Sequence, residues 1–211
     1  MEKMKGAEAV LRKVSFLGIP AVEKLRIGKK YRVKELDRRI RAGRTKREAR
    51  LLSRAKDAGV LCPVVYQVGE FSIRMKYLKG RMLHHELQRR EIRQGEISEA
   101  AGILVKLHSV DVVHGDFTPA NLMLTTGGMA VIDFGLGGIS NDKEDKATDI
   151  VMMKKSLGTF SEVERNSTKM KKALGSCGSK FVEAYSKSGG MKAVVRMVSE
   201  IEKRARYMER G

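Results

Sequence analysis

Apolar and polar positions follow two periods along this chain, and the period changes near residue 78. "AVLRKVSFLGIPAVEKLRI", residues 9–27, reads as two strands joined at Leu17-Gly18. Residues 35–58 are helical by spacing, with Ile40, Arg44, Glu48, Leu52 and Ala55 on one face. Gly59 is placed to cap that helix, and Pro63 blocks its continuation. "VVYQVGEFSIRMKYLKG" then predicts a hairpin around Gly69-Glu70, with Phe71, Ile73, Met75 and Tyr77 on one side.

After "LKG" the pattern turns helical. Residues 82–93 and 98–109 are predicted helices, the second with Ser98 as its N-cap. A loop follows over 113–121, then a hairpin in "NLMLTTGGMAVIDFG" turning at Gly127-Gly128. Helices are expected over 144–157, 160–170, 178–187 and 190–208, with "GSCGS" and "KSGG" as breakers. The expectation is α+β: a small strand-rich lobe over 1–78, a hinge near residue 78, and a helical lobe over 79–211.

Length and composition narrow the class. At 211 residues the chain can bury a real core as one domain or two small lobes. The excess of 43 Lys+Arg over 25 Asp+Glu gives a net charge of +18, which points to a polyanionic partner, nucleic acid first. The alternative is a cation-rich solvated surface. Cys62 and Cys177 lie far apart without metal-binding spacing, which fits a reducing compartment and excludes a disulfide framework. "MEKMKGAEAV" lacks the apolar core of a secretory signal, and no apolar run reaches membrane-spanning length. A cytoplasmic protein with no membrane contact is expected.

The chemistry concentrates in "VVHGDFTPANLML", residues 112–124, and in "AVIDFG" after it. Asp116 and Asn121 share one loop, and Asp133 ends the hairpin that follows. A carboxylate and a carboxamide suit Mg²⁺, a hard cation that keeps positions for water and phosphate oxygens. Asp116 is then free to orient or deprotonate a hydroxyl or water attacking phosphorus.

"HGDFTPAN…IDFG" resembles the catalytic and metal loops of the protein-kinase-like superfamily. The resemblance implies a bilobal kinase fold, ATP and Mg²⁺ as cofactors, Lys24 and Glu48 as the phosphate-positioning pair, and a hinge at Met75, Lys76 and Tyr77 whose backbone meets adenine. Plain core packing is the other reading of Met75 and Tyr77. Four departures stand out. No GxGxxG precedes Lys24, and only Gly6 in "KGAEA" takes that place, with the acidic Glu8 beside it. The loop reads HGD without an arginine, no A-P-E follows, and 78 residues remain after Asp133. Those losses remove the peptide platform and leave the nucleotide chemistry.

The flanking strings "GAEA", "RTKREARLLSRAKDAGV…CP" and "VIDFGLGGISNDKEDKATDI" resemble the atypical kinase subunit of the KEOPS complex over essentially the whole chain. That resemblance implies an ATPase, also a serine/threonine kinase, supporting threonylcarbamoyladenosine formation at A37 of tRNA. Its implied partners are the threonylcarbamoyl-transferase subunit, the small KEOPS subunits and tRNA. It assigns Asp116 as proton acceptor and Asn121 and Asp133 as Mg²⁺ ligands. Arg38, Arg39, Arg41, Arg44, Lys46, Arg47 and Arg50 on the first helix, with Lys203, Arg204, Arg206 and Arg210 near the C-terminus, are the candidate tRNA-phosphate contacts. A solvated face or a protein docking site are the alternatives. His84, His85 and His108 are read as solvated or capping, and His114 as a buttress of the loop. A small-molecule phosphotransferase of the aminoglycoside or choline kinase type, and a non-catalytic nucleotide-binding tRNA scaffold, remain the competing functions.

Overall fold

The structure is a computed structural model describing residues 3–5, 8–162 and 168–208. Gly6, Arg210 and the Arg206 side chain lie outside the described residues. Strands β1 (Lys3–Lys5), β2 (Ala9–Phe16), β3 (Ile19–Arg26), β4 (Val65–Val68) and β5 (Ser72–Lys76) form one antiparallel sheet in the order β1-β2-β3-β5-β4. Leu17 (φ 49°) and Gly18 (φ 78°) make the two-residue turn between β2 and β3, a left-handed pair whose twist matches that of the flanking strands. Helix α1 (Lys34–Asp57) packs on β4 and β5 and buries Leu51, Leu52 and Ala55 together with the polar Thr45 and Glu48. It ends as expected: Gly59 turns left-handed (φ 73°), and the Val60 and Gly59 N–H groups donate to the Ala55 and Lys56 carbonyls.

The remainder comprises β6 (Gly80–Met82), α2 (Leu83–Leu87), α3 (Gln94–Ser109), β7 (Val112–Val113), β8 (Leu122–Thr125), β9 (Gly128–Val131), β10 (Gly138–Ile139), α4 (Lys143–Glu162), α5 (Thr168–Lys187) and α6 (Lys192–Met208). β6, β8 and β9 form a small antiparallel sheet, and β7 pairs with β10. One apolar core runs from Leu51 and Leu52 on α1 through Leu104 and Leu107 on α3 to Phe181 and Tyr185 on α5 and Val194 on α6. Phe117 and Phe134, which flank the site loops, are fully buried in it.

Several elements differ from the sequence reading. The helix expected over 82–93 shortens to α2. α3 starts at Gln94 rather than 98, because Glu96 caps it by accepting the Arg93 N–H at 2.9 Å and the Arg90 guanidinium at 2.6 Å. Ser98 therefore lies inside the helix. The hairpin turns one residue earlier, at Thr126-Gly127, so Gly128 already pairs with Thr125. α4 runs on to Glu162, beyond the predicted end at 157, and the helix expected over 160–170 falls partly on 163–167, outside the described residues. "GSCGS" does not break α5, because a Cβ at Gly178 would sit 2.7 Å from Lys154 Cγ and 3.1 Å from its carbonyl oxygen. That glycine lets two helices touch backbone to backbone, and the packing outweighs its poor helix propensity. Among the described residues no helix is long and apolar enough to cross a membrane.

Candidate active site

Lys24 and Arg26 stand two residues apart on β3, so the alternation of a strand turns both to the same face, toward α1. Both side chains are buried, and both end on Glu48 of α1. Lys24 Nζ lies 2.7 Å from Glu48 Oε1, and Arg26 Nη2 lies 2.5 Å from Oε2. Lys24 makes a second bond, 2.8 Å to Asp133 Oδ1, and so ties the sheet to the loop after β9. Burial pushes the Asp133 carboxyl up, but the Lys24 ammonium and the Gly135 N–H at 2.7 Å outweigh it and hold the group below the usual carboxylate range.

Glu8, the carboxylate that would have opposed phosphate, is drawn onto guanidinium groups. It sits 2.6 Å from Arg44 Nη1 and 3.7 Å from Arg26 Nη1, and the Arg44 hydrogen bond holds it below the ordinary range.

The loop after β7 is built from main-chain hydrogen bonds. Asn121 Nδ2 donates to the Asp116 carbonyl at 2.9 Å and to Asp116 Oδ2 at 2.8 Å. The Ile132 N–H donates to the Asn121 carbonyl, which anchors the residue before Asp133 to this loop. Beneath it, fully buried Asp149 of α4 accepts the His114 N–H at 2.7 Å and the Gly115 N–H at 2.8 Å. His108 of α3 completes the support, with Nε2 3.3 Å from Asp149 and Nδ1 2.9 Å from the Tyr185 hydroxyl. Burial pushes the Tyr185 phenol up to about 12, so it stays a donor. His114 is buried between Phe117 and Phe134, its Nδ1 accepts the Asp116 N–H, and burial pushes its pKa below the ordinary histidine range. The HGD departure has a steric reason: Gly115 is left-handed (φ 74°), and a Cβ on it would lie 2.5 Å from the Leu136 carbonyl oxygen.

The stretch read as a hinge divides. The Met75 side chain is in the core at 5% exposure. The Lys76 N–H already donates to the Val64 carbonyl, and the Tyr77 N–H to that of Pro20. Just beyond it, among the described residues no backbone carbonyl accepts the Leu78 N–H, which leaves that group open to a ligand.

The donor set fits a hard divalent cation. Asp133 offers a partly exposed carboxylate, and Asn121, with its nitrogen committed to Asp116, keeps its amide oxygen as an acceptor. Among the described residues no group of three or more His, Cys, Asp or Glu could hold a metal unaided, so phosphate oxygens and water must complete any coordination shell.

Residues 18–152 match the RIO domain. The chain belongs to the RIO domain family. A "Probable serine/threonine-protein kinase BUD32 homolog" of Archaeoglobus fulgidus is 37% identical over 191 residues, 90% of this chain and 89% of that protein. A "Probable bifunctional tRNA threonylcarbamoyladenosine biosynthesis protein" of Methanobrevibacter smithii is 39% identical over 206 residues. Those span 96% of this chain and 36% of that protein, so the chain covers about a third of such longer relatives. In shape, this RIO domain is similar to the Rio2 kinase–ADP/Mg²⁺–phosphoaspartate complex of Chaetomium thermophilum, with a TM-score of 0.63 at 14% identity over 98% of this chain and 70% of that one. The fold is kinase-like α+β, with a strand-rich N-terminal sheet and a helical C-terminal part.

The RIO domain match takes in Lys24, Glu48, Asp116, Asn121 and Asp133, and the structure bonds Lys24, Glu48 and Asp133 directly. Arg26, Asp149 and His108 were missed by sequence reasoning; His108, read as solvated or capping, is 1% exposed. Asp149 had a signal: it is the one acid on the apolar face that Ile150, Met153 and Leu157 give α4.

The basic residues also sort. Arg38, Arg41, Arg44 and Arg204 pair with Glu70, Asp37, Glu8 and Glu144. Arg39, Lys46, Arg47, Arg50 and Lys203 are exposed, with no carboxylate partner among the described residues.

Proposed function

We propose that this RIO-domain chain is an ATP- and Mg²⁺-dependent atypical serine/threonine kinase and ATPase that serves, as a KEOPS subunit, in threonylcarbamoyladenosine formation on tRNA. The observation that carries the reading is the bonded set Lys24–Glu48–Asp133 beside the Asp116–Asn121 loop. Lys24, fixed by Glu48, holds negative charge on the phosphates. Asn121 fixes the Asp116 carboxylate so that it can take the proton of an attacking hydroxyl or water. Asp133 and Asn121 would hold Mg²⁺, which when bound neutralises phosphate charge. The backbone over Met75 to Tyr77 would line the adenine, with the Leu78 N–H as the donor, since those of Lys76 and Tyr77 are taken. The sheet side with α1, residues 1–78, acts as the nucleotide lobe and 79–211 as the catalytic lobe. The names of the relatives support the tRNA-modification setting, and the unpaired cations Arg39, Lys46, Arg47, Arg50 and Lys203 are the surface offered to tRNA phosphates. The threonylcarbamoyl-transferase subunit is the partner expected to raise turnover, and the cytoplasm is the expected compartment.

The test is ATP turnover by wild type and Asp133→Ala, each with and without tRNA and the transferase partner. Slow basal turnover that rises with both additions and vanishes in the variant is expected. Turnover indifferent to both additions would point instead to a small-molecule phosphotransferase.

A further inference from the structure

Arg26 is a buried cation beside Lys24 that the kinase pattern does not require. It is 5% exposed and reaches three elements at once. Its Nη2 bonds Glu48 Oε2 at 2.5 Å, and its Nη1 lies 3.7 Å from Glu8 Oε2. A Cβ at Gly135 would sit 3.4 Å from Arg26 Nη2 and 3.6 Å from Lys24 Nζ, so the two cations stand side by side against the Asp133 loop.

Two consequences follow from charge and geometry. Lys24 and Arg26 balance Glu48 and Asp133; without Arg26 these four positions carry one net negative charge where a triphosphate has to bind. Each Glu48 oxygen also takes one cation, so Glu48 stays anchored when Lys24 shifts toward another anion. A guanidinium fork suits that shared, buried position better than an ammonium does.

We propose that Arg26 is a positioning residue for the nucleotide phosphates. It anchors Glu48 through Oε2, which leaves Lys24 shared between Glu48 Oε1 and the incoming phosphate. Through Glu8 it extends that anchor to the start of β2, where a kinase would carry its glycine-rich loop. The proposal rests on the ATP-binding reading above.

The experiment uses the full chain and its Arg26→Met, Arg26→Lys and Glu8→Gln variants. Mg²⁺-ATP affinity is titrated directly, kcat and KM are measured, and unfolding midpoints are recorded for each. Arg26→Met is expected to raise Kd and KM for ATP about tenfold with a smaller change in kcat. Arg26→Lys and Glu8→Gln are expected to raise them about threefold, since each keeps part of the bridge. A residue that only neutralises buried Glu48 would lower the unfolding midpoint and the active fraction while leaving Kd and KM of the folded protein unchanged. Wild-type Kd and KM in Arg26→Met overturn the proposal, or in Arg26→Lys should the methionine variant not fold. Wild type that binds no Mg²⁺-ATP in the same titration overturns the functional reading and this proposal together.

Discussion

On the sheet side of the site, ion pairs join groups that are distant in sequence: Lys24 and Glu48 are 24 residues apart, and Lys24 and Asp133 are 109 apart. On the loop side, Asp116 and Asn121 are five residues apart, and main-chain hydrogen bonds to buried Asp149 hold the backbone that carries them. The first arrangement is a balance of charges, in which Glu48 keeps one cation when the other is lost. The second is a matter of shape, because each N–H has one acceptor and nothing nearby replaces it. Substitutions on the sheet side should therefore change the field around Lys24 and Asp133, whereas those on the loop side should displace the Asp116 carboxylate or loosen the fold.

The largest effect separates chemistry from support. Asp116→Ala should cut turnover by about 10²- to 10⁴-fold, the range for loss of a general base, with Mg²⁺-ATP affinity near wild type. Steady-state turnover beside nucleotide titration checks it, and a small loss would take the proton from Asp116 and give it to water. Asp149→Asn should act through structure instead. Both Asp149 oxygens accept main-chain N–H groups, so a carboxamide must aim a donor at one of them. Leaving a buried donor unsatisfied costs about 1–3 kcal/mol, and with the amide nitrogen turned to Gly115 the oxygen shared by the His114 N–H and His108 Nε2 is kept, so the loss falls on the Gly115 end of the loop. Denaturant unfolding of this variant should show that loss, with turnover falling in step with loop disorder; an unchanged midpoint would mean that Asp149 is not what holds the loop.

The same contrast explains what could be read from residues alone. The proximity of Asp116 and Asn121 was legible because five residues of one loop bring them together, and that of Lys24 and Glu48 because the kinase resemblance pairs a strand lysine with a helix-face glutamate; the structure bonds both pairs. Arg26 was not legible, since nothing in "EKLRI" distinguishes a buried second cation from a solvated one until α1 folds across the strand. Glu8 looked like an obstacle to phosphate because its partner, Arg44, lies 36 residues away on another element. His108 looked exposed because its partners Asp149 and Tyr185 come from helices 41 and 77 residues further on. The chain's own periodicity located β2 to β5 and α1 within a residue or two but missed the edge strand β1, whereas the helix ends near Gly178 depended on a helix crossing that no local window contains.

Gly115→Ala offers a smaller and more local break. A left-handed φ costs a non-glycine residue about 1–2 kcal/mol, and the Leu136 carbonyl stands where the new methyl must go. A loss of about 2 kcal/mol or more in unfolding free energy is expected, with turnover lost alongside because the residue adjoins Asp116. An alanine variant of wild-type stability would show that the Leu136 segment yields, and that the missing arginine of this loop has another cause.

The smallest effect tests the loop through proton linkage. His114 is buried with its pKa pushed below the ordinary histidine value, so the folded protein keeps the ring neutral while the unfolded chain titrates it near 6.5. The unfolded state then binds the extra proton, and the stability from keeping His114 neutral is whole above about pH 6.5 and lost as pH falls toward the folded value. The slope from one such proton is at most about 1.4 kcal/mol per pH unit. Asp133 and the other depressed carboxylates contribute only where carboxylates titrate, below about pH 4 to 5, and so leave the window between that and pH 6.5 to histidine. His84 is shifted in the same direction but remains in both proteins when His114→Phe is compared with wild type, and it cancels in the difference. Unfolding free energy measured from pH 7.5 to pH 5 should therefore fall more steeply in wild type than in His114→Phe. Parallel curves would mean that the ring takes its proton without leaving the core, with Asp149, Asp133 and Asp116 near enough to compensate its charge.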